Sequence, residues 1–329
     1  MSLLAPTLQA FFTERLVSQR GASPHTVAGY RDTFRLLLTF VAERTGKQPS
    51  RLDLADLDAP LVGSFLDCLE RERRNAVRTR NNRLAAIHSF FGWAALRHPE
   101  HAASIQRVMA IPAKRFERNT VTYLSDPEVD ALLDACDLTT WTGRRDHAMF
   151  TLVIQTGLRI SELTSLNCTD LFLGRGPYVH CVGKGRKERM TPLLPRTVSI
   201  LKSWLGERAG APAEPAFPTS TGAALSRDAI EHRLAIYTER AAASCPSLTS
   251  KNVTAHVLRH TAAMRLLFSG VDVTVIALWL GHEQVSTTSI YLHADMSQKQ
   301  RALARTKPVG ARVGRYRPTD GLLVFLEGL

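Results

Sequence analysis

Apolar side chains recur at helical spacing through the N-terminal part of the chain. A first stretch covers residues 7 to 19, and a second begins at Ser23-Pro24, where serine can cap a helix and proline suits its first turn. Gly46 is expected to end the second helix, because glycine readily adopts the left-handed conformation found after a helix. Stretches at about 58 to 74 and 76 to 96 have the same spacing. The pattern predicts four helices.

The rest of the chain has a different pattern, in which helices surround one pair of alternating segments. Ser125-Asp-Pro-Glu128 is a capping box, and a long helix is predicted from about residue 144 to residue 156. Side chains alternate through residues 178 to 194, on both sides of Gly183-Lys184-Gly185-Arg186, which predicts a β-hairpin with a basic tip. Helices resume from about Arg196. The predicted fold is mainly α with a small β-sheet.

Residues 111 to 122 separate the two patterns, because they have little apolar periodicity and carry several basic side chains. The chain has 329 residues, which is enough for two domains that each bury an apolar core. The predicted organisation is a helical domain at residues 1–112, a basic linker at 113–122, a second domain at 123–308 and a C-terminal tail at 309–329.

Positive charge changes the picture of the surface. The chain has 42 Lys and Arg against 30 Asp and Glu, a formal net charge of +12, so a polyanion is the expected partner. Charge alone leaves nucleic acid at even odds, since membrane-surface and ribosomal proteins share it. Residues 71 to 83 hold six arginines at a predicted helix junction, either as a solvated basic face or as phosphate contacts.

Other features exclude several classes of protein. The five cysteines are scattered without the short paired spacing of a zinc site, so we expect buried thiols in a reducing compartment and no bound metal. The N-terminus lacks a basic leader followed by an apolar run, and no stretch approaches the roughly 18 apolar residues of a membrane span. We expect a cytoplasmic protein without a membrane partner.

Six side chains of the second domain have ordinary explanations when taken singly. An arginine can be a surface residue, a hairpin lysine is usually solvated, His-x-x-Arg is common, and a tyrosine is often part of the core. Their order and spacing carry the signal. The six residues are Arg159, Lys184, His256, Arg259, His282 and Tyr291.

Four segments containing these residues occur in a fixed order. They are TGLRISELTSLNCTDL (156 to 171), VGKGRKERMTPL (182 to 193), HVLRHTAAMRLLFSGVDVTVIALWLGH (256 to 282) and STTSIYLH (286 to 293). Together they resemble the signature of the tyrosine recombinases, the phage integrase and Xer-like family. The resemblance is strong over residues 120 to 300, and the helical N-terminal part is similar in layout to the core-binding, SAM-like domain of that family.

The resemblance implies an α+β catalytic domain, which with the core-binding domain forms a C-shaped clamp around DNA. It also implies that the six residues named above are catalytic. Glu162 lies three residues after Arg159, where it is either an ion pair on a helix face or a group that orients the arginine; we favour the second because the family motif includes it. His260 follows the His-x-x-Arg motif and is expected to pack or hydrogen-bond, outside the catalytic set.

The chemistry of strand exchange explains why these residue types should meet. Attack by the Tyr291 oxygen would store a phosphodiester bond as a covalent intermediate, with His256 as the expected proton acceptor. Two arginines would hold the negative charge on the non-bridging oxygens, so neither a metal nor a nucleotide cofactor is expected. Lys184 would protonate the leaving 5′-hydroxyl, and His282 would bond to the phosphate or position its neighbours.

DNA contacts and assembly follow as expectations. Double-stranded DNA is the expected partner, and a homotetramer on two sites would exchange strands through a Holliday junction, with a monomer off DNA and room for accessory recombinases or DNA-bending proteins. The tail at 309–329 docks either on its own domain or on a neighbouring protomer. Expected DNA-contact residues are Arg73, Arg74, Arg78, Arg80, Asn81, Arg83, Lys114, Arg115 and Arg118.

Two other classes of function remain as alternatives. One is a relative that uses the same chemistry differently, such as a type IB topoisomerase or a telomere resolvase. The other is a catalytically silent DNA-binding regulator. Within the recombinase class, the target sequence and the biological task, whether integration, transposition, dimer resolution or cassette exchange, are left open by the sequence.

Overall fold

The computed structural model describes residues 3–116, 121–183, 188–282, 284, 288 and 291. The chain divides into two units, residues 1–118 and 119–329, and each has its own apolar core. The predicted fold class is confirmed, since helices dominate and the described strands form a single small sheet. No described helix has the length and the apolar character needed to cross a membrane.

The N-terminal unit is helical throughout its described part. Its α-helices are α1 (Leu4–Ala10), α2 (Pro24–Thr45), α3 (Ala59–Arg71), α4 (Val77–Ala94) and α5 (Ala102–Met109), with a π-helix at Phe11–Gln19 and 3₁₀ turns at Pro49–Arg51, Leu54–Asp56 and Pro99–His101. Their apolar faces meet around aromatic rings, such as Phe34 and Phe90 with ring centroids 5.2 Å apart. These side chains form the apolar core of the N-terminal unit.

Local signals located the predicted helices of this unit well. Ser23 accepts a hydrogen bond from the backbone N–H of Thr26 (3.2 Å), and Gly46 ends α2 with a φ of 69°, as expected. The first helical segment begins earlier than predicted, at Leu4. The short helix α5 was not predicted, because only Ile105 and Val108 of its eight residues are buried.

The C-terminal unit surrounds a small sheet with helices. Its helices are α6 (Asp126–Asp134), α7 (Trp141–Thr156), α8 (Ile160–Thr164), α9 (Pro195–Arg208), α10 (Arg227–Ala242), α11 (Ala255–Phe268) and α12 (Val273–Leu280), with 3₁₀ turns at Cys168–Asp170 and Pro246–Ser250. Its strands are β1 (Leu171–Phe172), β2 (Tyr178–Val182) and β3 (Glu188–Pro192). The strands are antiparallel in the order β1-β2-β3.

The predicted hairpin is confirmed, with His180 opposite Met190 and Cys181 opposite Arg189. Lys184 belongs to residues 184–187, which lie outside the described residues. Strand β1 was not predicted, since two residues are too short to show an alternating pattern. The described hairpin therefore provides the two strands that lead to and from the predicted position of the basic tip.

Helix α7 crosses the core of the unit and packs against α11. Thr140 caps its start, and it ends at Gly157, which has a φ of 66°. A Cβ on Gly157 would lie 2.5 Å from Cδ2 of Leu280, the last residue of α12. Because glycine has no Cβ, the ends of α7 and α12 can lie this close together beside α11.

Candidate active site

Two predicted arginines connect the ends of these helices. The guanidinium of Arg259, on α11, donates to the carbonyl of Gly157 (2.5 Å) and to the carbonyl of Leu280 (2.7 Å). Arg159, directly before α8, donates to the carbonyl of Gly281 (2.7 Å). Carbonyls at helix C-termini lack partners within their own helix and carry the negative end of the helix dipole, so they suit cationic donors. Both guanidinium groups are thereby anchored to the backbone.

Glu162 holds Arg159 from the other side. Its Oε1 accepts a hydrogen bond from Nη1 of Arg159 (2.8 Å), and its Oε2 accepts one from the backbone N–H of the same residue (2.8 Å). Glu162 therefore contacts Arg159, as both interpretations of this residue require. Burial alone would raise the Glu162 pKa, but hydrogen bonds from Arg189 and Arg159 hold it below the usual value. The carboxylate is ionised at neutral pH.

Arg189 is a member of this cluster that sequence reasoning missed. It donates from Nη1 to Oε1 of Glu162 (2.7 Å) and from Nη2 to Oε2 (2.6 Å), a bidentate pair. The available signal was its place on β3 opposite Cys181, a buried position of the adjacent strand. Arg189 also shares a face of β3 with buried Thr191, and an arginine on a buried face needs a partner there.

The cluster carries excess positive charge. Burial, together with the neighbouring charges of Arg159 and Arg189, lowers the pKa of Arg259 to about 10. It is therefore still protonated at neutral pH. Among the described residues of the cluster, the guanidinium groups of Arg159, Arg189 and Arg259 carry three positive charges. The carboxylate of Glu162 carries one negative charge, so the net charge is +2. Such a site stabilises an anion with several oxygens, such as a phosphodiester.

The tyrosine lies beside this cluster in a buried position. Tyr291 is 1% exposed, and a 2.9 Å hydrogen bond joins its hydroxyl to Nδ1 of His260. The ring of His260 lies 4.2 Å from that of His256, one helical turn away on α11. His256 is the expected proton acceptor, but the described phenol hydroxyl is bonded to His260, for which the sequence predicts a packing or hydrogen-bonding role.

Both members of this hydrogen bond are neutral at neutral pH. Burial raises the pKa of Tyr291 to about 12, although Arg259 opposes that rise. Burial and the nearby charges of His256 and Arg259 lower the pKa of His260 to about 4. The phenol is therefore not ionised in this arrangement, and the positive cluster has not yet activated it.

His282 follows Gly281 at the end of α12, directly after the carbonyl that Arg159 contacts. A 2.7 Å hydrogen bond joins its Nδ1 to the hydroxyl of Thr288, which is buried. Burial, followed by the charges of Arg259 and Arg159, lowers the pKa of His282 to about 4. Of the six predicted catalytic residues, the structure brings five together; Lys184 lies outside the described residues.

The predicted DNA-contact residues of the N-terminal unit differ in exposure. Arg80 is only 5% exposed and donates to the Pro112 carbonyl (3.0 Å). Asn81 bonds to both the carbonyl and the backbone N–H of Lys114 (2.8 and 3.1 Å). The expectation that Arg80 faces phosphate is corrected here, because helical spacing places it on the same side of α4 as buried Leu84. It fastens residues 112–114 to the unit.

The other residues of that group are more accessible. Arg83 is half-buried, and burial together with the charge of Arg73 lowers its pKa. Arg118 lies outside the described residues. The exposed members are Arg73, Arg74, Arg78, Lys114 and Arg115.

Comparison with known proteins is consistent with this site. The phage integrase family matches residues 122–298, and the N-terminal SAM-like domain of phage integrases matches residues 10–98. A putative integrase/recombinase y4rC of Sinorhizobium fredii is 53% identical over 326 residues, which cover 99% of this chain and 98% of that protein. Tyrosine recombinase XerC of Rhodospirillum centenum is 33% identical over 91% of this chain and 86% of its own.

Solved structures share the fold at low identity. The XerH site-specific recombinase in a post-cleavage complex with palindromic difH aligns with a TM-score of 0.66 at 21% identity, covering 87% of this chain and 81% of that one. The Tn1549 transposon integrase with transposon right end DNA aligns with a TM-score of 0.69 at 16% identity, covering 90% and 98%. The family match, the relatives and the shared fold agree: this chain belongs to the phage integrase family of tyrosine recombinases, enzymes that break and rejoin DNA strands.

Proposed function

We propose that this recombinase cleaves DNA by attack of Tyr291 on a phosphodiester held by Arg159 and Arg259. The observation that carries the proposal is the doubly positive cluster that lies beside the tyrosine, with both guanidinium groups anchored to helix-end carbonyls. Anchored donors need little rearrangement when charge develops on the phosphate oxygens, which is how such groups lower a reaction barrier. The expected intermediate is a 3′-phosphotyrosyl bond.

The remaining residues complete the proposed reaction. His256 accepts the phenol proton, and Lys184 protonates the leaving 5′-hydroxyl. His282 contacts a phosphate oxygen once the negative charge of DNA offsets the effect of the two arginines on its pKa. Two successive rounds of cleavage and rejoining between paired sites pass through a Holliday junction. The arginines provide the positive charge, so the proposed reaction uses no cofactor.

Attack requires a change at Tyr291. A side chain that is 1% exposed cannot reach a phosphodiester on a DNA duplex, and its hydroxyl is engaged by His260. In the proposed mechanism, DNA binding releases the phenol from His260 and brings it to the arginines. The described arrangement is then a resting state in which the nucleophile is protonated and stored.

In the proposed function, both units contact DNA. The exposed arginines around the start of α4, with Arg83, Lys114, Arg115 and Arg118, neutralise phosphates, while Arg80 and Asn81 fasten the chain that leaves the unit. Four protomers on two duplexes, with the 309–329 tail docked on a neighbour, form the active complex in the cytoplasm. The solved structures of the same fold, XerH and the Tn1549 integrase, are complexes with DNA, which supports the DNA-binding part of this proposal.

A matched pair on one helix tests the DNA grip. Arg78→Gln removes an exposed charge, and Arg80→Gln removes a buried one on the same helix. We expect Arg78→Gln to reduce the slope of log affinity against log salt by about 1 on duplex DNA. Arg80→Gln should instead lower the free energy of unfolding. An unchanged slope for Arg78→Gln would remove that residue from the grip.

The covalent step is tested by recovering its product. The full chain is incubated with fragments of the DNA that flanks its gene, and the digested products are searched by mass spectrometry for a nucleotide on Tyr291. We expect an adduct that is absent in Tyr291→Phe, whose DNA affinity is unchanged. Sequencing the attached DNA gives the target site. Tight DNA binding without any adduct, on intact or nicked fragments, would instead favour a silent binder.

A further inference from the structure

We propose that Arg189 is a positioning residue for recombination, which fixes Glu162 and, through Glu162, the guanidinium of Arg159 that receives the scissile phosphate. The inference deepens the proposed function and rests on it. Its structural basis is a chain of three side chains from two elements: Arg159 at the start of α8, Glu162 within α8 and Arg189 on β3.

The contact between Arg189 and Glu162 is closed to solvent. The Arg189 side chain is 10% exposed and the Glu162 side chain 2% exposed, and the two are joined by parallel hydrogen bonds of 2.7 and 2.6 Å. The planar guanidinium matches the carboxylate in this fork geometry, so it fixes the rotation of the carboxylate as well as its position. The donors of a lysine ammonium are not arranged in such a planar fork, so a lysine would not fix the carboxylate rotation in the same way.

The fixed carboxylate in turn determines where Arg159 points. Oε1 of Glu162 accepts from both Arg189 and Arg159, so the two guanidinium groups share one oxygen. The Arg159 side chain is 30% exposed, more than either partner, which is what a group that must meet a ligand requires. Without Arg189, the carboxylate would lose its bidentate partner and could turn, and Arg159 would turn with it.

Arg189 also lies close to Gly281, the second residue that anchors the Arg159 guanidinium. A Cβ on Gly281 would lie 3.1 Å from Nη1 of Arg189, and the carbonyl of Gly281 accepts the other Arg159 hydrogen bond. Arg189 therefore lies against both groups that anchor Arg159. Arg189 is also the second residue of β3, the strand that begins at Glu188 after residues 184–187, so this strand follows the predicted general acid Lys184 in the sequence and carries the anchor of Arg159.

A purely structural ion pair is the alternative that the test must separate. Removing one partner of a buried pair destabilises a protein wherever it lies, so loss of activity alone decides nothing. The two roles differ in their dependence on the substrate. If Arg189 acts by positioning Arg159, its loss matters only when the substrate has a negative oxygen for Arg159 to neutralise. A methylphosphonate at the scissile position has a methyl group in place of one of the two non-bridging oxygens, so the negative charge is removed. The two diastereomers differ in which of these oxygens is replaced.

The experiment compares Arg189→Gln, Arg189→Lys and Arg159→Ala with the unaltered chain. Arg175→Gln, which removes an exposed charge before β2, is the matched control. Single-turnover formation of the Tyr291 adduct is measured on three nicked duplexes of the sequence recovered from that adduct. One has a phosphate at the scissile position, and each of the other two has one of the two methylphosphonate diastereomers there. Melting temperatures and DNA affinity are measured for every variant.

We expect Arg189→Gln to slow adduct formation about 10- to 100-fold on phosphate, as when a group that orients a functional ligand is lost. The methylphosphonate diastereomer that restores Arg159→Ala should restore Arg189→Gln, and the other should not. Arg189→Lys should show the same preference with a smaller loss, and it serves as the test if the glutamine variant does not fold. Arg175→Gln should match the unaltered chain.

Other results overturn the inference. An equal loss on all three substrates would make Arg189 a structural residue only, and no loss on phosphate would exclude any role. If the unaltered chain forms no adduct, the proposed function fails and the inference fails with it. That outcome is distinguishable, because it appears without any substitution at residue 189.

Discussion

The arginine side and the tyrosine side of the active site are prepared in opposite ways. Arg159 and Arg259 are held by helix-end carbonyls and a buried carboxylate, in the places where a phosphate would need them. Tyr291 is buried, protonated and bonded to His260. The half that stabilises charge is therefore formed before DNA arrives, whereas the nucleophile is stored. In the proposed mechanism, such a recombinase binds DNA without cutting it until the tyrosine is released.

The largest expected effect comes from breaking the arginine side. Arg259→Gln removes a buried cation that donates to the carbonyls of Gly157 and Leu280. Loss of such a donor to the transition state typically costs about 10²- to 10³-fold in rate. The two carbonyls would also lose a partner, at about 1–3 kcal/mol in the free energy of unfolding. Adduct formation and urea unfolding measure the two effects, and a variant with normal cleavage would contradict the preformed site.

A smaller effect is expected from the helix contact beneath the arginines. Gly157→Ala combines left-handed strain with a Cβ that would lie 2.5 Å from Cδ2 of buried Leu280, so the Leu280 side chain or the end of α12 must shift. Gly176→Ala is the matched control, since it has a similar φ of 65° and no atom within 4 Å of the new Cβ. We expect strain of about 1 kcal/mol in the control and about 1–3 kcal/mol more at Gly157. Equal unfolding free energies would refute the close approach.

The smallest effect concerns the tyrosine side and its dependence on pH. The His260 pKa is about 4 in the folded chain and about 6.5 in an unfolded one, so the unfolded state takes up the proton first as pH falls. Its neutral form therefore favours folding at high pH, and this contribution is lost as pH falls from about 6.5 to about 4. His260→Gln should make the decline in stability across that window shallower.

Denaturant unfolding at several pH values measures this change, with substitution of exposed His25 by Gln as the control for replacing a histidine. If His260→Gln leaves the decline as steep as before, His260 is not a buried neutral partner of Tyr291. An accompanying increase in adduct formation at neutral pH would show that the hydrogen bond restrains the nucleophile.

Burial also explains why arginines that look alike in the sequence have different roles. Arg78 and Arg80 stand two residues apart in one basic run, yet one is exposed and the other fastens the Pro112 carbonyl. Its helical spacing with Leu84 and Ile87 explains why Arg80 lies on the inner face of α4. The charge run suggested one function for the whole segment, and the period of the helix divides it into two.

The sequence by itself determined the features that depend on neighbours a few residues apart. Caps at Ser23 and Gly46, the capping box at Ser125, the β2–β3 hairpin and the mainly helical fold class all follow from local spacing. The order of the catalytic motifs identified the family without any coordinates. These signals are readable because helix periodicity, capping and turn chemistry act over one or two turns of chain.

Tertiary structure alone decided which distant side chains meet. Glu162 and Arg189 are 27 residues apart, and His260 and Tyr291 are 31 apart, and no local pattern pairs them. The short helix α5 likewise depends on the surface against which Ile105 and Val108 pack. Such contacts arise when buried polar groups must find partners within a close-packed core, and the partner is selected by how the elements pack rather than by the order of residues along the chain.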